Sequence, residues 1–397
     1  MSKKKVVLAF SGGLDTTYCA IYLSKEMGYE VHTVSVNTGG FSSRDEIELE
    51  KKAKALGSVN HLTISAEQDF YDKAIRYMLF GNILKNHTYP LSVSSERVFQ
   101  AMAIAGYAKK IGAGAVAHGS TGAGNDQVRF DLVFRIMIPD AEIITPIRDM
   151  KLSRQEEVDY LKEHGVDQEW AKAKYSINKG LWGTSVGGAE TLSSDKGLPE
   201  EAWPSQVTAT GKESVSLKFE YGELVGVNGQ EYDPVDAIKE LQSLAAPYGV
   251  GRGMHVGDTI IGIKGRVGFE AAAPLIMIKA HQTLEKHVLS KWQMYWKDQL
   301  SEWYGMLLHE GQYLDPVMRN IESFLEDSQK AVSGTVHVEL EPKVFEVIGV
   351  ESDNDLMQAK FGQYGEMNNA WSGEDVKGFT KILANANLIQ KMTQEND

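Results

Sequence analysis

Residues 8–17 read LAFSGGLDTT: an apolar run ends at Ser11, two glycines interrupt it, and Asp15, Thr16 and Thr17 stand where a helix should begin. A strand that stops at paired glycines and passes into a helix is a βα junction, the place where open α/β sheets bind ligands. Four more short apolar runs, at 31–36, 61–65, 115–119 and 142–146, read as buried parallel strands. Between them lie helical patterns. The first spans about residues 16–27, with Cys19, Tyr22, Leu23 and Met27 on one stripe and Gly28 to end it. The second covers 44–57, with Leu49, Ala53 and Leu56 inward. The third covers 96–110, with Val98, Ala101, Met102 and Ala105 on one face. After the fifth run, Ser153 and Glu156 have capping-box spacing. This alternation predicts an α/β fold, a doubly wound parallel five-stranded sheet, ending near residue 168.

A chain of 397 residues exceeds what one core usually holds. The remainder has a different texture, and we expect domains at 1–168 and 169–363, with a C-terminal oligomerisation segment at 364–397. Within the second, α+β, part, VSLKFE and ELVGVNG read as a hairpin with Asn228-Gly229 suited to a tight turn. Residues 270–311 read as one long helix in which Leu284, Val288, Trp292, Tyr295, Trp296, Leu300, Trp303 and Leu307 recur at near-helical spacing. Core packing is the default for such a stripe, and an oligomer interface comes next. Residues 336–350 alternate like two strands, and 377–392 close the chain as an amphipathic helix.

Composition narrows the chemistry. Forty-one Lys and Arg against 54 Asp and Glu give a formal charge of -13, which argues against a nucleic acid partner. Cys19 is the only cysteine, so an intrachain disulfide and any multi-thiolate metal site are excluded. The apolar run after the N-terminal lysines is too short for a signal h-region, and no later run reaches a bilayer span. A cytoplasmic protein without membrane partners is the expectation.

Paired glycines let backbone N–H groups approach an anion, and a helix N-terminus adds positive potential, so the stretch suits phosphate. No GxxxxGK[ST] lysine follows, so the usual grip on a transferring γ-phosphate is missing. Asp15 as an ordinary helix N-cap is the plain alternative. SGGLDTT resembles the loop of the ATP pyrophosphatase superfamily, which implies ATP as substrate, Mg2+ with it, and transfer of AMP.

AHGSTGAGNDQVRF at 117–130 resembles the second signature of the argininosuccinate synthase family, and AFSGGLDTT the first, with Thr17 in place of a Ser. YPLSVSSER at 89–97, YSINKGLWGTS at 175–185 and GEDVKGFTKI near the end continue the likeness over nearly the whole chain. The resemblance implies an AMP-forming carbon–nitrogen ligase that joins citrulline to aspartate, with homotetrameric assembly. It places ATP on Ala9, Phe10, Ser11, Gly12, Gly13, Leu14, Asp15, Thr16 and Thr17, with Val36 and Gly119. It places citrulline on Tyr89, Ser94, Asn125, Arg129, Ser176 and Ser185, and aspartate on Thr121, Asn125 and Asp126. By residue chemistry, Asp126 offers an acceptor for an ammonium, and Arg129 offers a fork for a carboxylate. His118 is left structural. Magnesium ligands are not assigned.

The chain also departs from the family. Where the family commonly carries a Glu and, twelve residues on, a Tyr that contact citrulline, Gly257 and Phe269 stand here. A lysine of the family's second loop is replaced by Ala123. Either Asp258 or Glu270 takes over the lost carboxylate, with Asp258 favoured, or the substrate is an N-acylated citrulline. Another amide-forming ligase and a non-catalytic nucleotide-binding module are the rival readings.

Overall fold

The computed structural model describes residues 3–166, 168, 170, 174–358, 364, 365 and 370–394. In chain order, β1 (Lys5–Ala9), α1 (Leu14–Lys25), β2 (Glu30–Asn37), α2 (Ser43–Ala55) and β3 (Asn60–Ser65) come first. Short helices α3 (Glu67–Phe70) and α4 (Arg76–Phe80) lead into the long α5 (Ser92–Ile111). Then come β4 (Ala115–Ala117), α6 (Asp126–Met137), β5 (Glu142–Ile144), α7 (Pro146–Asp149) and α8 (Arg154–Glu163). All five expected strands form, and they pair in parallel in the order β3-β2-β1-β4-β5.

The strand alternation of β1 divides the core. Val6 and Leu8 pack with Tyr18, Cys19 and Ala53 from α1 and α2, while Val7 packs with Val98, Phe130 and Phe134 from α5 and α6. The chain therefore turns to opposite faces after adjacent strands β1 and β4, and this switch point opens a crevice at their carboxyl ends. The expected N-terminal cap forms, with Ser153 and Glu156 bonding reciprocally at α8, and an unanticipated one, Ser42 with Asp45, does the same at α2. Met27, placed on the inward stripe of α1, is 40% exposed because the helix ends at Lys25.

The rest of the chain holds two antiparallel sheets. One, β11 (Arg252–Asp258), β12 (Lys264–Glu270), β7 (Gly183–Gly187) and β6 (Ser176–Gly180), lies in that order beside the crevice. The other runs β10 (Gln230–Glu231), β9 (Glu223–Val227), β8 (Glu213–Glu220), β13 (Gly334–Glu341) and β14 (Val344–Glu351). Helices α9 (Pro234–Ala245), α10 (Ala272–Val288), α11 (Lys291–His309) and α12 (Pro316–Ser328) pack around them, and α13 (Gly373–Leu383) and α14 (Asn385–Gln394) close the described chain. Among the described residues no helix is long and apolar enough to cross a membrane. The expected domain limits fall beside residues 169 and 363, which lie outside the described residues.

Several sequence expectations are corrected. The β8–β9 hairpin turns at Tyr221 and Gly222, both with positive φ, whereas Asn228-Gly229 forms the next turn, between β9 and β10. The long helix is two: Leu289 is extended, and Ser290 caps α11 reciprocally with Gln293, a capping box hidden within the apolar periodicity. Leu284 and Val288 are core, but Trp292, Tyr295, Trp296 and Trp303 are 54–63% exposed, which removes the core reading for the aromatic stripe. The C-terminal helix breaks at Ala384 into two amphipathic pieces.

One buried ion pair joins the two halves. Lys297 on α11 lies 3.1 Å from Glu285 on α10, both fully buried, and its Nζ also donates to the Phe80 carbonyl at the end of α4. Asn82 donates to Glu285 as well. Replacing one member strands the other charge in the core, so Lys297→Met should cost about 3–5 kcal/mol in urea unfolding. Adding Glu285→Gln should recover most of that loss.

Candidate active site

The crevice is a cleft of about 900 Å³. Its floor is the end of β1 and the start of α1. Gly12 takes φ +72°, and a Cβ there would stand 2.7 Å from the Leu49 side chain, so the turn needs glycine. Gly13, not Asp15, is the N-cap of α1, and no side chain caps it. The first-turn amides consequently have no acceptor within the helix and face the cleft. Ser11 Oγ receives the Gly13 amide at 3.4 Å and lies 3.3 Å from Thr16 Oγ1, while Lys52 Nζ donates to the Gly12 carbonyl at 2.7 Å. These bonds hold the loop open. The N-cap alternative for Asp15 is thereby removed.

The facing wall is the loop after β4. Gly119 runs so close to α1 that a Cβ would stand 3.1 Å from the carbonyl carbon and Cβ of Asp15. Thr121, Gly122, Ala123 and Gly124 are exposed on the rim, and Asn125 and Asp126 open α6. Asn125 Oδ1 accepts the Ile260 amide at 2.8 Å, tying the β11–β12 turn to the cleft. His118, left structural by sequence, is buried between Asp131 (2.9 Å) and the Ser120 amide (3.2 Å).

Asp126 carries the charge balance. Its oxygens receive Arg97 Nε at 3.1 Å and Arg129 Nη1 at 2.9 Å. Burial opposes its charge, but the two guanidiniums overcome that and hold the carboxyl below its ordinary range. Arg129 also spends Nε on the His309 carbonyl (2.9 Å), and Nη2 faces His309 Nδ1 at 3.5 Å. One N–H on each terminal nitrogen is left for a ligand. Arg97 further reaches Glu96, Gln100 and Asn178. Burial pushes the Glu96 carboxyl up to about 7, against the pull of Arg97.

Of the residues singled out by sequence, Ala9, Phe10, Ser11, Gly13, Leu14, Asp15, Thr16, Val36, Gly119, Thr121, Asn125, Asp126, Arg129 and Ser176 line this one cleft. Gly12 shapes it from behind, and Thr17 is fully buried with its hydroxyl unpaired. Tyr89 is buried beside its inner end, its oxygen accepting from Ser92 Oγ and the Val93 amide, and Ser94 donates to the Leu91 carbonyl. Ser185 sits in β7 opposite both Phe269 and Asn178. Thr38, Glu96, Arg97, Gln100, Asn178 and Lys179 also line the cleft and were not anticipated. Arg97, Asn178 and Lys179 lie within the very segments that carry the family resemblance, where only the Tyr and Ser positions were read for ligands.

The expected substitute for the missing carboxylate fails on register. Cross-strand partners share a face, so His255, Gly257 and Phe269 point together, toward Tyr89. Asp258 and Glu270 point the other way, where Asp258 pairs with Lys264 at 2.6 Å and Glu270 with Arg252 at 3.0 Å. Neither replaces a side chain at Gly257.

Comparison with known proteins gives one answer along the whole chain. Residues 5–167 match the family model described as the arginosuccinate synthase N-terminal HUP domain, and residues 175–390 match the arginosuccinate synthase C-terminal domain. Curated relatives include the argininosuccinate synthase of Methanocaldococcus jannaschii, 38% identical over 364 residues and 91% of each chain. Those of Xanthomonas campestris (36% over 401 residues, 98% of each chain) and Pyrococcus furiosus (35% over 390 residues, 97% of this chain and 94% of the relative) agree.

A second carboxylate pair sits under the first turn of α1. Burial, then the neighbouring Asp15, raises Glu157 on α8 to about 7. Because the folded chain holds this proton while the unfolded chain releases it near 4.5, stability should fall as pH rises from about 4.5 to about 7. Glu157→Gln keeps the uncharged state, so its melting temperature should rise relative to the parent between pH 5 and pH 8. An unchanged difference across that window would contradict the shared burial.

Proposed function

Because this chain belongs to the argininosuccinate synthase family, we infer that it is an AMP-forming carbon–nitrogen ligase that uses ATP to join a ureido amino acid, citrulline in the family's reaction, to aspartate. The observation that carries this is the meeting of two loops in one cleft: the uncapped start of α1 and the rim at residues 119–126. A urea carbon is a poor electrophile. Adenylating its oxygen makes AMP the leaving group, which the amine of aspartate displaces.

Each part of the cleft has a task in that sequence. The amides of the α1 first turn, with Ser11 and Thr16, suit the β- and γ-phosphates that leave as pyrophosphate. Residues 9–17 with Val36 and Gly119 form the ATP site. Thr121, Asn125 and Asp126 are assigned to aspartate, and Tyr89, Ser94, Asn125, Arg129, Ser176 and Ser185 to the ureido acid. Mg2+ enters on the phosphates of ATP. A cytoplasmic homotetramer is the assembly and location proposed, supported by the apolar faces of α11, α13 and α14, whose Trp296, Phe379 and Ile389 are exposed.

With [18O]ureido acceptor, ATP and aspartate, the label should appear in AMP. Label found in pyrophosphate, phosphate or water, with none in AMP, would refute adenylation. Gly119→Ala sets a Cβ 3.1 Å from Asp15 and presses the rim loop and the first turn of α1 slightly apart, and should raise the KM for ATP about tenfold or more while the folded chain melts within a few degrees of the parent. Light scattering of the purified chain should give four subunits. A monomer would contradict the assembly proposed.

A further inference from the structure

Beside the cleft, around Tyr89 and Gly257 where the ureido acid is assigned, the face of the β11–β12 pair that holds His255, Gly257, Val267 and Phe269 carries no carboxylate to meet an α-ammonium. Asp126 is engaged by two arginines, Glu96 is buried against Arg97 and Thr38, and Asp258 and Glu270 face away. In their place stand donors. His255 stacks on Tyr89 with ring centroids 5.2 Å apart, and its Nε2 lies 2.6 Å from where a Cβ on Gly257 would be, with Asn86 Nδ2 at 3.6 Å from the same point.

His309 is 7% exposed and its Nε2 is buried without a partner. Its Nδ1 faces the Arg129 guanidinium, which only donates, so the ring proton belongs on Nε2 and forms a buried donor lacking an acceptor. Lys85 sits half-buried in the same group, within electrostatic reach of His255, His309 and Arg129. The carboxylates it feels, Glu310 and Asp258, form no ion pair with it, and among the described residues it has no salt-bridge partner. Burial and Lys85 keep His255 in its neutral form, with one donor and one acceptor nitrogen suited to an amide.

An ammonium placed on the Gly257 face finds no carboxylate there to accept its hydrogen bonds, whereas an amide carbonyl, or a further carboxylate, meets waiting N–H groups. We propose that the acceptor is a citrulline whose α-nitrogen is acylated, its acyl chain passing over Gly257 and ending in a carboxylate at Lys85. The proposal rests on the ligase reading above and specifies its substrate. The chemistry at the ureido end is unchanged: the amine of aspartate replaces AMP, and the product carries the acyl group on the arginino half.

Pyrophosphate release by the full chain, with ATP and saturating aspartate, should be compared for citrulline, Nα-acetylcitrulline and Nα-succinylcitrulline. Both acylated forms should exceed citrulline in kcat/KM by about tenfold or more, the succinyl form most, because a site with unmet polar partners rejects the substrate that leaves them unmet. Lys85→Met should narrow the gap between the two acylated forms. Equal or better use of citrulline overturns the proposal and leaves the ligase standing; no pyrophosphate with any of the three overturns the ligase itself. The variant Gly257→Glu with His255→Ala restores a carboxylate and clears its space. It should shift the ratio toward citrulline, and an unchanged ratio would place the acyl group elsewhere and sink the assignment.

Discussion

The cleft depends on how closely the loop after β4 passes the first turn of α1. At Gly119 the two backbones approach so closely that a Cβ would stand 3.1 Å from Asp15, so the switch point is pinched where neighbouring strands send the chain to opposite faces. Two helix N-termini result on one small space. α1 starts at uncapped Gly13, and α6 starts at Asn125, whose side chain is spent on Ile260 rather than on its own helix. Each presents unsatisfied amides, so the fold supplies two anion-attracting poles side by side before any charged side chain is counted. A reaction that brings a triphosphate and a diacid together needs that pairing.

The ion cluster then fixes what surrounds the poles. Asp126 is a first-turn residue of α6, where a carboxylate is favoured, and it bonds two guanidiniums of different origin. Arg97 extends the link to Asn178 on β6, and Arg129 to the His309 carbonyl at the end of α11. One carboxylate thus connects α5, α6, the β6–β7 hairpin and the second half of the chain. Glycines allow the hairpin to settle on this cluster: a Cβ at Gly180 would fall 2.2 Å from Glu96 Oε2, and one at Gly40 would fall 2.2 Å from the Lys179 carbonyl. With Arg97, Arg129 and Lys179 on its walls against Asp15, Glu96 and Asp126, the cleft is locally balanced in charge where the chain as a whole is acidic.

How much of this was legible follows the range of the interactions. The parallel sheet and the glycine turn are local patterns, and Val6, Val7 and Leu8 announce burial on both faces without any partner being known. The second loop was legible for the same reason. Breaks governed by hydrogen-bonding side chains were missed where apolar spacing ran through them, as at Ser290 and Gln293. The exposed tryptophans of α11 show a further limit: helical spacing reports that residues share a face, not what covers it. Arg97 and Asn178 were invisible as site residues because their role arises from contacts across long sequence separations, Arg97 with Asp126 and Asn178 with Arg97.

Register explains why the acceptor end can diverge while the chemistry stays fixed. Along β11 the side chains alternate, so a carboxylate lost at position 257 is not recovered from 258, one residue away and on the other face. Recovery has to come from a different element, and the side chains nearest Gly257, His255 and Asn86, bring no negative charge. The elements proposed for adenylation, β1, α1 and the 119–126 loop, meet this strand pair through the bond from the Ile260 amide to Asn125. On the proposed assignment, substrate identity is set on a sheet that can change its charge without disturbing the two helix N-termini proposed for ATP and aspartate.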